Sequence, residues 1–399
     1  MNLLYYCDEY PPVRNGGIGT VVKLVAEAMA KRGHRVIVAG KYWEGQSRQT
    51  IEEINGVTVI RWHKGSYRTL GIRACDFIRD EKRLRTLKAQ RILDRTRLLL
   101  ERVVKEHQVD LLEMPDYVDS FIYNDGIVFP RKHFSIPLLL RVHGSVSFLY
   151  HHLQYVENEE RTKQDKRLFD SADAVSAVSA FSKRYVEEGL CFDKPIEVIY
   201  NPIEDKLFAN ASESLPVGQT ILFFGKIAAM KGVYSLIKAF NIVAEKNPQA
   251  RLRLVGSGDI NQAKQLVDSR FADRIEWTGF VPHEEIGNEI DKAAFCVLPS
   301  YFENFSMAAL EVLARKRALI YTNRASGSEL IEDGENGLLV NPDDVVQIAD
   351  KMELLLSDTT LRDCLAEKGY EMCRRRFSTD VIISQMESYY EEIIARCRK

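Results

Sequence analysis

Short apolar runs alternate with amphipathic stretches along the whole chain, in two successive series. The first series predicts strands at Leu3–Cys7, Arg35–Ala39, Val57–Trp62, Val109–Met114, Leu138–Val142, Ala174–Val178 and Glu197–Tyr200. The second predicts strands at Thr220–Phe224, Arg251–Val255, Ile275–Thr278, Ala294–Leu298, Ala318–Thr322 and Leu338–Val340. Helical patterns fill the gaps, as in Thr20–Lys31, whose last turn carries Lys31 and Arg32 before Gly33. Parallel strands need long crossovers, so strand–helix alternation implies parallel sheets covered by helices on both faces. Two such series predict two doubly wound α/β domains. The seam falls between Tyr200 and Gln219, a mostly polar stretch with two prolines. Ligands of open parallel sheets bind beyond the carboxyl ends of the strands. Chemistry is therefore to be sought in the strand-to-helix loops, around a cleft between the two domains.

Composition narrows the function classes. The chain has 399 residues, 45% hydrophobic and 28% charged, which excludes a disordered chain. Lys plus Arg number 55 against 57 for Asp plus Glu, so no basic excess points to nucleic acid. Seven cysteines, with no C-x-x-C pair, indicate neither a disulfide framework nor a zinc site and fit a reducing, cytoplasmic compartment. No run approaches the ~18 apolar residues of a membrane span. The segment MNLLYYCDEYPP lacks the basic and apolar regions of a secretory signal. An intact soluble protein is expected.

Five loops merit attention. In Tyr10–Thr20, Gly16, Gly17 and Gly19 follow the first strand and open the first helix, where glycine permits close ligand approach and helix N–H groups attract anions. A plain tight turn explains the same residues. His143 ends the strand PLLLRVH and is followed by Gly144. In Phe224–Gly232, Gly225 opens a loop carrying Lys226 and Lys231, two ammonium groups suited to a diphosphate; solvated surface lysines are the competing explanation. The apolar Ile227–Met230 between them predicts a partly buried loop. Gly256 and Gly258 in VGSGD precede a helix that Asp259 is placed to cap. No P-loop motif G-x-x-x-x-G-K-[ST] occurs.

The fifth loop, PSYFENFSMAALEVLA at 299–314, is the most informative. From Met307 to Ala314 every residue but Glu311 is apolar, so the helix must be buried on all sides. A carboxylate in its middle needs hydrogen-bond donors. An internal Arg or Lys would serve, and so would a sugar diol. Glu303 stands on the preceding loop, and the N–H groups of Asn304, Phe305 and Ser306 at the helix start suit a phosphate.

Together these pieces resemble the retaining family-4 glycosyltransferases (glycosyl transferases group 1) of the GT-B fold. The resemblance runs through YPP-x(3)-GGIG, RGHRVIV at Arg32–Val38, ADAVSAVS at Ala172–Ser179, VIYNPI at Val198–Ile203, FGKIAAMKG, LVGSGD, and the E-x(7)-E pair Glu303 and Glu311. It implies α/β architecture in two Rossmann-like domains facing a central cleft. Residues 1–200 would form the acceptor-side domain, joined by a crossing-back helix at 378–399, and 201–377 the donor domain. It also implies roles. Glu311 would hold the nucleotide's ribose and Glu303 the donor sugar. Lys226 and Lys231 would neutralise the diphosphate, with the N–H groups near Asn304, Phe305 and Ser306 completing that site. Gly225 and Gly256 would line it, Gly16 and Gly17 would let the first loop close, and His143 would contact the sugar near the reacting carbon. The family usually has Arg where Lys226 stands; Lys keeps the charge but loses the bidentate fork.

No resident cofactor is implied: the donor is a substrate, a nucleotide-diphosphate sugar, UDP- in preference to GDP-. No D-x-D occurs, so the sequence requires no metal. Retention by front-side attack, with the leaving phosphate taking the acceptor proton, fits the absence of an evident nucleophile. The acceptor is expected to be a glycan or a lipid-linked saccharide, in surface polysaccharide or glycoconjugate assembly. A nucleotide-sugar epimerase on the same fold and a non-catalytic nucleotide-sugar-binding subunit are the alternatives. Asp116, Tyr117 and Asp119 are candidate acceptor contacts. The Lys- and Arg-rich region 61–105 suggests peripheral contact with anionic membrane on the cytoplasmic face, against the simpler reading of a solvated helix face.

Overall fold

A computed structural model describes residues 1–12, 16–42, 49–63, 81–117, 134–152, 159–209, 211 and 218–398. The chain divides into two compact units, Met1–Pro202 with Ile382–Lys399, and Ile203–Val381.

The first unit holds an eight-stranded sheet: β1 (Asn2–Tyr6), β2 (Arg35–Tyr42), β3 (Gln49–Ile54), β4 (Val57–His63), β5 (Leu111–Pro115), β6 (Leu138–Val142), β7 (Ala174–Ala177) and β8 (Ile196–Val198). Their spatial order is β3-β4-β2-β1-β5-β6-β7-β8. β5 and β6 are buried at every position, as strands covered on both faces should be. All pairings are parallel except β3 with β4. β3 is missing from the sequence prediction, because QTIEEI is largely exposed and shows no buried alternation. Its signal was the turn: Asn55 and Gly56 both have positive φ, 51° and 81°, the conformation of a two-residue hairpin. The order reverses between β1 and β5, so the loops beyond these strands flank a topological switch point.

The C-terminal helix Thr379–Cys397 packs on this unit from Ile382 onward, as expected for a crossing-back helix. Ile382, Ile383, Met386, Tyr390, Ile393 and Ile394 form its buried stripe. Two polar ties fix its register. Glu387 accepts from Arg32 and pairs with His34 Nε2 at 2.7 Å. The Tyr390 hydroxyl donates to the buried Glu113 carboxylate on β5 and lies 3.4 Å from the Tyr5 hydroxyl. Burial raises the pKa of Glu113, against the opposing pull of the Arg141 guanidinium. Tyr390→Phe leaves that carboxylate without its donor, at an expected cost of about 1–3 kcal/mol. Scanning calorimetry should show an earlier unfolding transition; an unchanged one would mean that apolar contacts alone hold the helix.

The second unit is a six-stranded, wholly parallel sheet: β9 (Thr220–Phe224), β10 (Arg251–Val255), β11 (Ile275–Gly279), β12 (Phe295–Leu298), β13 (Ala318–Thr322) and β14 (Leu338–Val340). The order β11-β10-β9-β12-β13-β14 reverses between β9 and β12. Every strand predicted from the sequence is present, with ends shifted by a few residues. No described helix is long and apolar enough to cross a membrane.

Candidate active site

The switch point of the second unit brings the Lys226–Gly232 loop, after β9, beside the Pro299–Ser306 loop, after β12. Two glycines make the approach possible. Gly232 has φ 70°, and a Cβ there would lie 1.8 Å from the carbonyl oxygen of Pro299. Gly256, with φ 142°, would place a Cβ 1.8 Å from the carbonyl oxygen of Gly225. No other residue fits either position without moving backbone. Further backbone bonds tie the loops: Tyr301 N–H donates to the Met230 carbonyl at 2.9 Å, and Ile227 N–H to that of Ser257 at 2.9 Å.

This framework sets Lys231 Nζ 2.6 Å from Glu303 Oε1, although the two are 72 positions apart in sequence. Ser300 Oγ donates to the same oxygen at 3.0 Å. The backbone carbonyl of Glu303 is held in turn by the Ser326 hydroxyl, at 3.0 Å. Glu303 Oε2 takes no hydrogen bond from the described residues, so one oxygen of a positioned carboxylate remains an acceptor. Lys226 is exposed, and no described residue pairs with it. The expectation of a partly buried loop needs correcting. Only Ile227 is buried there, whereas Ala229 and Met230 are exposed.

The helix Met307–Ala314 is buried from Ala309 to Ala314. Ser306 caps it by accepting from Ala309 N–H, so its hydroxyl is engaged within the helix. Phe305 is buried edge-on against Phe377, with ring centroids 5.4 Å apart. Its side chain is core, and any ligand contact falls to its N–H. Glu311 is 6% exposed, and no hydrogen-bond donor among the described residues reaches its carboxylate. Among the described residues its one ion-pair contact is with the exposed His283, Nε2 to Oε1 at 3.7 Å. The internal arginines that might have satisfied it are engaged elsewhere: Arg315 pairs with Asp291, and Arg317 donates to backbone carbonyls. Burial, and then the Glu204 carboxylate, push Glu311 up to about 8. His283 and Glu204 were not singled out from the sequence, where nothing marks their proximity to Glu311.

In the first unit, Gly16 is the N-cap of the helix Gly17–Lys31, and its N–H donates to Glu9 Oε2 at 3.2 Å. The glycine this turn requires is Gly19, where a Cβ would lie 2.1 Å from the Glu9 carbonyl oxygen; a Cβ on Gly17 would meet open space. His143 follows β6 and is half-buried. Burial, reinforced by Arg141, lowers its pKa to about 3, so the imidazole is neutral at neutral pH. Asp116 lies just beyond β5 and is 2% exposed. It accepts from His143 N–H at 2.7 Å and Gly144 N–H at 3.1 Å, which makes it a brace for the His143 loop. Burial raises Asp116 to about 7 against the effect of those bonds. An acceptor-contacting role for its carboxylate therefore does not fit. Asp119 lies outside the described residues.

Two family models match the chain: Glycosyltransferase Family 4 over residues 15–207 and Glycosyl transferases group 1 over 218–358. An alpha-D-kanosaminyltransferase from Streptomyces kanamyceticus is 31% identical over 175 residues, 43% of this chain and 45% of that protein. The match thus spans less than half of that relative's length. Among solved structures, a sucrose-phosphate synthase from Thermosynechococcus elongatus superposes with a TM-score of 0.78 at 21% identity, over 99% of both chains. Anabaena Alr3699/HepE in complex with UDP-glucose gives 0.72 at 16% identity, over 98% of this chain and 100% of the other.

Proposed function

Because this chain belongs to glycosyltransferase family 4 and has the GT-B fold, we propose that it moves a hexose-type sugar, with retention and without metal, from a nucleoside diphosphate sugar to an acceptor hydroxyl. The donor is a UDP-sugar in preference to a GDP-sugar, and the acceptor a glycan or a lipid-linked saccharide in surface polysaccharide or glycoconjugate assembly. The observation that carries the reading is Glu311: a buried carboxylate with no donor among the described residues, in a helix that is otherwise apolar. A ribose offers two adjacent O–H donors to such an acceptor, and the bond gains strength from the carboxylate charge.

The second unit's geometry supports the other assignments. Glu303 keeps Oε2 for a sugar hydroxyl while Oε1 anchors Lys231. Lys231 and the exposed Lys226 stabilise charge as it develops on the departing diphosphate, together with N–H groups of Asn304, Phe305 and Ser306. Gly225 carries no side chain into that approach, and Gly256 lets its own loop pack against the Gly225 backbone. In the first unit, the acceptor side, His143 offers a neutral ring to a sugar, and the Gly16–Gly17 turn offers close backbone approach to a phosphate or the acceptor. The acceptor oxygen bonds to the anomeric carbon on the face from which the diphosphate leaves. Its proton passes to a phosphate oxygen, so no enzyme-bound intermediate forms.

Calorimetric titration with UDP, GDP and ADP, first without metal and then with magnesium, tests the reading. Selective binding without metal is expected, with UDP tightest. Failure of all three nucleotides to bind would overturn both the ribose and the diphosphate assignments.

A further inference from the structure

Transfer as proposed makes no use of Asp116, yet a carboxylate that is 2% exposed opposes folding unless its bonds offset the burial. Those bonds all come from one turn. Oδ1 accepts from His143 N–H at 2.7 Å, and Gly144 N–H reaches both oxygens, at 3.2 and 3.1 Å. Asp116 N–H donates in return to the Arg141 carbonyl at 3.0 Å. The turn bends through Gly144, whose φ of 119° suits glycine. Beyond it, a second buried carboxylate, Asp165 on the helix Glu159–Ser171, accepts from Ser147 N–H at 2.8 Å. The segment from His143 to Ser147 is thus shaped by two carboxylates that belong to other elements. Asparagine is a poor substitute for Asp116, because both of its carboxylate oxygens face Gly144 N–H and an amide nitrogen there would set donor against donor.

We propose that Asp116 is a positioning residue for sugar transfer, clasping the His143 turn in the form that presents the imidazole to the sugar. This role rests on the reading of His143 as a sugar contact. Charge makes the clasp firm, since hydrogen bonds to an ionised carboxylate are roughly twice as strong as neutral ones. Burial, reinforced by the Asp165 carboxylate, sets Asp116 at about 7 despite the two N–H donors. Among the described residues, Asp165 is the charged group that acts on it from a packed element, and the His143 ring is neutral in this range. The clasp is therefore firm above pH 7 and weak below it.

The test labels the eight histidines of the full chain with 15N and follows the His143 amide, identified by its loss in His143→Gln. Its proton should move upfield as pH falls through about 7 and should not titrate there in Asp116→Asn. Asp165→Asn removes the charge that opposes ionisation, so the midpoint should fall. Release of UDP from UDP-glucose is measured alongside. The ratio of wild-type to Asp116→Asn turnover should climb with pH through the same midpoint, from near one to roughly 10- to 100-fold. The dissociation constant for UDP should be the same in both proteins, because its proposed site lies in the second unit. A His143 amide indifferent to pH near 7, equal turnover by Asp116→Asn, or a loss confined to UDP affinity would overturn the proposal. A titrating amide in a wild type that releases no UDP would instead overturn transfer from this donor, and this use of the clasp with it.

Discussion

Lys231→Ala is expected to lower turnover by roughly 100- to 1000-fold, the usual loss when a preorganised charge at a developing anion is removed. The structure supplies the preorganisation. Gly232 lets the loop close against Pro299, Glu303 holds the ammonium at 2.6 Å, and Ser300 and Ser326 hold Glu303. The substitution removes the positioned cation and leaves Glu303 with Ser300 as its remaining partner. Lys231→Arg should recover part of the rate, because charge returns but the guanidinium cannot occupy the same point. Lys226→Ala should cost much less, since that side chain is exposed and screened by water. The measurement is nucleoside diphosphate release from whichever sugar nucleotide binds. Full turnover by Lys231→Ala would remove this residue from the leaving-group site.

The contrast between these two lysines shows what the sequence could and could not convey. Both stand in one loop with the same spacing from glycine, and nothing local separates them. The difference lies in a partner 72 positions away, brought near by the order reversal between β9 and β12. Sheets were more legible, because a strand buried on both faces writes itself as an apolar run. The exposed β3 left no such run and was visible only through Asn55–Gly56. Asp116 misled for a related reason. A polar residue after a strand suggests a ligand contact, yet the donors that claim it are the N–H groups of His143 and Gly144 on the neighbouring strand's loop. Glu311 was legible because its anomaly is local: one carboxylate in an apolar helix demands a partner wherever the helix packs.

That demand yields a prediction with two opposite signs. Glu311→Ala should weaken nucleotide binding by about 100-fold or more, since two hydrogen bonds to a charged acceptor are lost. The free protein should respond the other way, because a buried carboxylate without donors opposes folding. Glu311→Gln keeps the shape and removes the charge, so it should melt no earlier than wild type. The pH dependence follows from the direction of the shift. Glu311 titrates near 8 in the folded chain against an ordinary value of 4.5, so the folded state holds the extra proton between those limits. This group's contribution to stability therefore falls as pH rises from 4.5 to about 8 and is constant above. Glu311→Gln should lack that component, and its advantage in melting temperature should widen over the same interval. Nucleotide binding should show the converse. A diol donates to the ionised carboxylate, so wild-type affinity should rise toward pH 8 relative to the Gln variant and then level off. Both proteins meet the same titrating diphosphate, so the ratio of their affinities isolates Glu311. A ratio near one across the whole range would place the ribose elsewhere.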